Sequence, residues 1–314
     1  MKDWLIPVLG AALLALLPLM VEPYTQDLAV KMMVFAIFAL SLELLVGMTG
    51  LVSLGHAAFF GIGAYVTVLA SPEYDPGSVA MLLPMAVLAA AAYALIVGLL
   101  SLRTKGAYFI MVTLAFAQMA YFVFHDTRLG VSSDGIFLNV RPVQGSWLDL
   151  DDKRHLFYFV LACLVFTYSL LALVRRSRFG HALAGIRVNE QRMRAVGFHT
   201  FGYKLAAFTL AGALAGLAGF LLAAKDAAVN PALLSWHESS AVLLMITLGG
   251  LGHLRGAVLG TVVFTLLKEV FSTHSLVGPL ADHWQLTLGV TVIAFVALLP
   301  HGLMGLPQWL RSRR

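Results

Sequence analysis

The stretch RRSRFGHALAGIRVNEQRMRAVGFHTFGYK, residues 175–204, interrupts a chain that is otherwise almost continuously apolar. It holds seven basic residues (Arg175, Arg176, Arg178, Arg187, Arg192, Arg194 and Lys204) against one acid, Glu190. Neither hydrocarbon nor a folded core accepts such a run, so it belongs in water, and its charge favours the cytoplasmic side of a membrane. A long, shaped loop between membrane helices offers a soluble partner something to push.

Composition sets the class. The 314 residues are 60% hydrophobic and 12% charged, whereas a soluble domain carries about 25% charge. The chain therefore reads as a polytopic membrane protein. A net charge of +5 raises nucleic acid as a partner, but the basic residues collect between apolar spans, which is how topology is written. No nucleic-acid partner is expected. Cys163 is the single cysteine, so a disulfide framework and a cysteine metal cluster are excluded.

A helix needs about 20 apolar residues to cross hydrocarbon. Runs broken by charge or turn residues predict ten spans, five in each half. They are Trp4–Val21, Leu28–Val46, Leu51–Ala70, Val79–Ser101, Ala107–Phe124, Leu156–Val174, Leu205–Ala224, Ser239–Leu254, Ala257–Phe271 and Gln285–His301. The first has a signal peptide's length, but Val21-Glu22-Pro23-Tyr24 offers no small-residue cleavage site, so it is kept as a span. With residues 175–204 inside and ten crossings, both termini lie inside. Lys2, Arg103, Lys105, Arg255, Arg311, Arg313 and Arg314 then join the loop, giving 14 of the 21 Lys and Arg on that side. The acid-rich stretch His125–His155 falls outside. Five spans per half, running in opposite directions, suggest an inverted repeat. The echo of Leu54-Gly55-His56 in Leu251-Gly252-His253 sits at non-equivalent places in that scheme and carries no weight.

Several segments carry chemistry. Residues 47–65 set Gly47, Gly50, Gly55, Gly61 and Gly63 around Ser53 and His56. Glycines permit irregular backbone at depth, beside protein or a watery cavity, and also close helix packing. Two readings stand: a broken helix lining a translocation path, or a tight packing face with Ser53 bonded to its own backbone. Glu43 sits in an apolar run, and a carboxylate at depth faces a cavity or partner. It would meet a substrate amine or His56, or else reach headgroup water. Gln118 lines a path or bonds a neighbouring helix. A second glycine zone, Gly249, Gly250 and Gly252, breaks the eighth span from the ninth. Ser239 and Ser240, after Trp236-His237-Glu238, frame the outer end of the eighth. Within the basic stretch, Asn189 caps a helix of about two turns, Glu190 suits its positive first turn, and Gly197 ends it in a left-handed conformation. Ile186, Met193, Val196 and Phe198 supply apolar docking surface; the alternative is a helix that only binds anionic lipid.

There is no Gly-Lys pair and hence no phosphate-binding P-loop. No His-Glu-x-x-His, Gly-x-Ser-x-Gly or paired-cysteine site occurs, so neither catalytic residues nor a metal site is expected.

Four segments in order (Gly50–Tyr65, Tyr108–Phe116, Arg178–Gly219 and Leu243–Gly260) make the chain resemble the LivM-type permease subunits of bacterial branched-chain amino-acid ABC importers. The family is similar to amide and urea permeases. The resemblance implies an all-α permease without cofactor of its own in the bacterial cytoplasmic membrane. It implies pairing with a second homologous permease, two cytoplasmic ATPase subunits that bind the ATP, and a periplasmic substrate-binding protein. It also places an ATPase-coupling helix at Arg187–Gly197, with Glu190, Ala195 and Gly197 at characteristic positions and Arg187 and Asn189 beside them. The chain departs from relatives at Arg192 and Met193, where small residues are usual, and at Glu43, where Asn is common. The family's hydrophobic amino-acid substrates are the expectation; urea, amides or other small acids fit the same scaffold. An ion-coupled secondary transporter using Glu43 and His56 is the reading from a different class.

Overall fold

The computed structural model describes residues 10–18, 21–127, 135–145, 148–274, 278–299 and 302–305. Residues 10–18 are helical and Val21 is not, while residues 4–9 and 19–20 of the first expected span lie outside the described residues. Pro23, whose missing N–H costs nothing in a first turn, opens α1 (Pro23–Glu43), which continues through a π-helical turn, Leu44–Thr49. Together they form a 27-residue apolar rod buried along most of its length. Such a rod, hydrophobic all round, belongs in the middle of a bundle.

The helices α2 (His56–Ala70), α3 (Val79–Ser101) and α4 (Ala107–Asp126) follow. Three two-residue strands come next: β1 (Ile136–Phe137), β2 (Val143–Gln144) and β3 (Leu148–Asp149). Asp152 caps α5 (Lys153–Arg176) by accepting from the Arg154 amide, and Ser177 caps α6 (Arg178–Val188) by accepting from Gly180. A short α7 (Glu190–Ala195) leads into α8 (Thr200–Asp226), β4 (Ala228–Val229) and a 3-10 turn, Pro231–Leu234. The chain then forms α9 (Trp236–Gly249), α10 (Leu254–Ser272) and α11 (Trp284–Leu298).

The protein is thus an all-α, multi-helix membrane architecture. Among the described residues six helices are long and apolar enough to cross a bilayer, or seven if α9 and α10, bent by 115° at their junction, make one broken span. The expected span Leu51–Ala70 is corrected: residues 50–55 are not helical, and α2 begins only at His56. At 15 and 14 residues, α2 and α9 are too short to cross alone. The break expected at Gly249-Gly250-Leu251-Gly252 is present, and the helices on either side start at Trp236 and Leu254 rather than Ser239 and Ala257.

At the centre α8 is gripped from two sides. It runs antiparallel to α3, with Gly212 against Ala94 and Gly216 against Ala90; on its other side Gly219 lies against the Phe60 carbonyl of α2. These small residues let three backbones approach closely where lipid supplies no hydrophobic drive.

The bundle has two distinct ends. At one lie the π turn, residues 50–55, the basic stretch and the α9–α10 break. At the other, β1 pairs with β4 antiparallel, Ile136 opposite Val229, and Arg141 joins Asp151 at 2.7 Å and the Lys225 carbonyl at 3.1 Å. Lys225 also meets Asp27 at 3.1 Å.

Candidate functional site

The basic stretch forms a folded lever. Asn189 takes an extended conformation and its side chain accepts from the Arg192 amide at 2.9 Å, which starts α7. The helix stops in a Schellman motif: Phe198 N–H donates to the Met193 carbonyl and Gly197 N–H to the Arg194 carbonyl. That geometry puts Gly197 at φ +95°, where a side chain is strained. Phe198 and Phe179 both pack on the Tyr203 ring, fixing the turn against the foot of α8.

Glu190 is the clamp. Its Oε1 accepts from Arg194 at 2.5 Å, from Lys204 at 2.9 Å and from the Thr200 hydroxyl at 3.1 Å. Arg194 Nε donates to the same hydroxyl at 2.9 Å. Burial opposes the carboxylate charge, but the hydrogen bond and charge of Lys204, with Arg194 and Thr200, outweigh it and hold the carboxyl at about 2. Since Lys204 is itself buried in α8, the only acid of the stretch ties α7 rigidly to a spanning helix. The exposed side of the lever carries Val188 and Val196, 84% and 70% exposed, with Gln191, Arg192 and Ala195. Ile186 and Met193, expected on that side, turn inward: Ile186 is buried and Met193 packs on Gly185.

Arg187 also departs from expectation. It lies in α6, not in the short helix, and its guanidinium donates to the Gly47 carbonyl of the π turn. It thereby braces the lever to α1. Beside it, a cavity of about 610 Å³ is bordered by Arg175, Arg176, His181, His253 and Arg255.

The expected path residues are mostly closed into the protein. Glu43 is buried rather than reaching headgroup water, and its Oε1 accepts from the Gly252 amide at 2.6 Å. His56 does not pair with it. Its Nε2 meets Ser41 Oγ at 2.8 Å, and its ring lies between Phe38 and Phe59. Ser239 accepts from the Ala57 amide at 2.8 Å, so α9 caps the buried first turn of α2. Ser53 accepts from Gly55 N–H at 3.2 Å, a local bond. Ser240 bonds within its own first turn to the His237 carbonyl, and Gln118 is half-buried on α4. The named glycines divide by role. Gly50, Gly250 and Gly252 have positive φ, while Gly55, Gly61 and Gly249 are crowded by Thr113, Leu234 and Gly256. What sequence reasoning missed is the pairing of the two breaks through Glu43 and Arg187. The only signal was an acid at unusual depth, without any hint that it and a base of the polar stretch served neighbouring turns.

A folded polar lever is thus clamped to a bundle of apolar helices packed through small residues. The chain belongs to the family described as branched-chain amino acid transport system permease component, which matches residues 24–298. Among curated proteins it is similar to the high-affinity branched-chain amino acid transport system permease protein LivM of Escherichia coli (strain K12). It is 30% identical over 310 residues, covering 91% of this chain and 71% of that one. The LivM protein of Salmonella typhimurium (strain LT2) matches with the same identity and coverage. No solved structure matches. The protein is a multi-pass transport permease component, and its relatives are named as permease proteins, not enzymes.

Proposed function

We propose that the chain is the translocating subunit of an ATP-driven importer for hydrophobic, branched-chain amino acids, working as a single permease domain across residues 1–314. In this reading it crosses the bacterial cytoplasmic membrane ten times, in two inverted sets of five with both termini inside, residues 50–55 and the Pro231–Leu234 turn completing the crossings of the short α2 and α9. Residues 175–204 face the cytoplasm and residues 125–155 the periplasm. It pairs with a second homologous permease, sits above two ATPase subunits and receives cargo from a periplasmic binding protein. ATP is bound by those ATPases and the permease carries no cofactor. The observation that carries the reading is the clamp of Glu190 on Lys204 and Arg194, which turns a force on α7 into a tilt of α8. Because α8 packs on α3 and α2 through glycine contacts, the tilt is passed on without a soft joint. A bias of a few kcal/mol between outward- and inward-open states is enough, so selectivity rests mainly with the binding protein.

The test is ATP-dependent uptake of labelled L-leucine by cells carrying Glu190→Lys, which sets a cation against Lys204 and Arg194. Uptake near parental level, with ATPase association unchanged, contradicts the proposal. An ion-coupled transporter is disfavoured by the closed setting of Glu43 and His56, which leaves neither beside an open route. Urea or amide transport on the same scaffold predicts uptake of those neutral solutes and none of leucine.

A further inference from the structure

The cavity of about 610 Å³ at the lever end has two kinds of wall. One is basic: Arg175 and Arg176 end α5, His181 lies on α6, and Arg255 opens α10 just after His253. None of the described residues that border the cavity is acidic. The charge of Glu43 reaches Arg175, which still leaves this wall net positive. Both histidines are held by the main chain. Nδ1–H of His181 donates to the Ser177 carbonyl at 2.8 Å, and that of His253 to the Leu251 carbonyl at 3.2 Å. The first turn of α10 adds the positive end of a 19-residue helix. Arg175 and Arg176 also suit the negative end of α5, a role that calls for no cavity. A cleft lined by one sign of charge draws the opposite ion, and the forked guanidinium group matches phosphate oxygens in pairs.

The other wall is apolar. Tyr168 and Ala172 continue the arginine face at helical spacing, back into the apolar part of α5. From Tyr168 to Arg176 that face is about 12 Å long, at 1.5 Å per residue. The cavity therefore has the volume of a small-molecule site, and a lone phosphate ion would leave most of it empty. We infer that it seats the headgroup of an anionic phospholipid: Arg175, Arg176 and Arg255 take the phosphate oxygens, and the glycerol and first acyl carbons lie along Ala172 and Tyr168. Basic pockets between spanning helices hold such headgroups. One bound lipid thereby ties the end of α5 and the root of the lever to the α9–α10 break. The inference holds for any cargo and for either direction of transport.

Native mass spectrometry of the full-length chain with its co-purifying subunits, in neutral detergent, reads bound lipid directly. Phosphatidylglycerol should be held about tenfold or more tightly than phosphatidylcholine of the same acyl chains, whose choline cation meets the same arginines; tenfold corresponds to one charge-assisted contact. Equal retention of the two overturns the inference without any variant. A phosphatidylglycerol with a photoreactive headgroup should label residues 168–181 or 253–255, and labelling confined to other segments overturns it as well. Arg175→Gln combined with Arg255→Gln should lower phosphatidylglycerol retention about tenfold or more, while Arg103→Gln, exposed in the α3–α4 turn, should leave it unchanged. A combined variant that matches the parent contradicts the assignment. Displacement of the lipid by an equal concentration of inorganic phosphate gives the cavity to a free anion and overturns the lipid as its occupant.

Discussion

Glu43 and Gly252, 209 residues apart, are joined by a 2.6 Å hydrogen bond from the Gly252 amide to a carboxylate oxygen. Arg187 closes the other side of the same junction through the Gly47 carbonyl. Two helix breaks, one after α1 and one between α9 and α10, are thus held as one unit at the lever end of the bundle. Free backbone groups at these glycine-rich breaks find partners inside the protein, as membrane depth requires.

The bond separates two views of Glu43. Glu43→Gln keeps an oxygen acceptor for Gly252, so L-leucine uptake should stay within about threefold of parent and show no new dependence on a proton gradient. Glu43→Ala leaves the amide orphaned and should destabilise the protein by about 1–3 kcal/mol, read as a lower thermal midpoint in detergent. Abolished uptake in the Gln variant would favour proton coupling.

Gly219 is placed for close approach. A methyl group there meets the Phe60 carbonyl, which cannot rotate away as a side chain would. Gly219→Ala should cost about 1–3 kcal/mol through forced backbone shift, seen in thermal unfolding. A Gly10→Ala control, with open space around it, should be neutral.

The lever should depend on pH in one direction. Glu190 has its carboxyl held at about 2 against an ordinary 4.5, so its contribution is fully present above pH 4.5 and is lost as pH falls towards 2. Amide exchange of residues 189–200, corrected for intrinsic rates, should show constant protection from pH 7 to pH 5 and falling protection below. Glu190→Gln should remove that dependence.

The cap makes a local prediction. Gly197→Val places a β-branched residue at φ +95° and should weaken the α7 stop by about 1–3 kcal/mol. Faster amide exchange at Arg194 and Phe198, with the spanning helices unchanged, is the expected signature.

Legibility in the sequence followed the range of the interaction. Asn189 and Gly197 were readable because a cap is settled within four or five residues. The apolar runs of α3, α4, α5 and α8 were readable because hydrocarbon thickness sets a length. The start of α2 was not, since its first turn is capped by Ser239 on another helix, 182 residues away. The bond from Arg187 to the Gly47 carbonyl was not readable, because charge alone does not reveal that a carbonyl 140 residues away lies within its reach. Glu43, His56 and Ser53 were rightly singled out as polar groups at depth. The local bond of Ser53 was one of the two readings and is present to Gly55, whereas Glu43 and His56 pair with Gly252 and Ser41, and no periodicity encodes those pairings.

The claim on which the account turns is that an ATPase subunit grips α7. Val196→Cys, 70% exposed on the lever, can be paired with cysteines across the surface of the co-expressed ATPase subunit, in the Cys163→Ser background. The account predicts a disulfide to the ATPase in intact membranes whose yield changes when ATP is trapped by vanadate. No cross-link from Val196, beside ready cross-links from residues 135–145 at the opposite end, would contradict it.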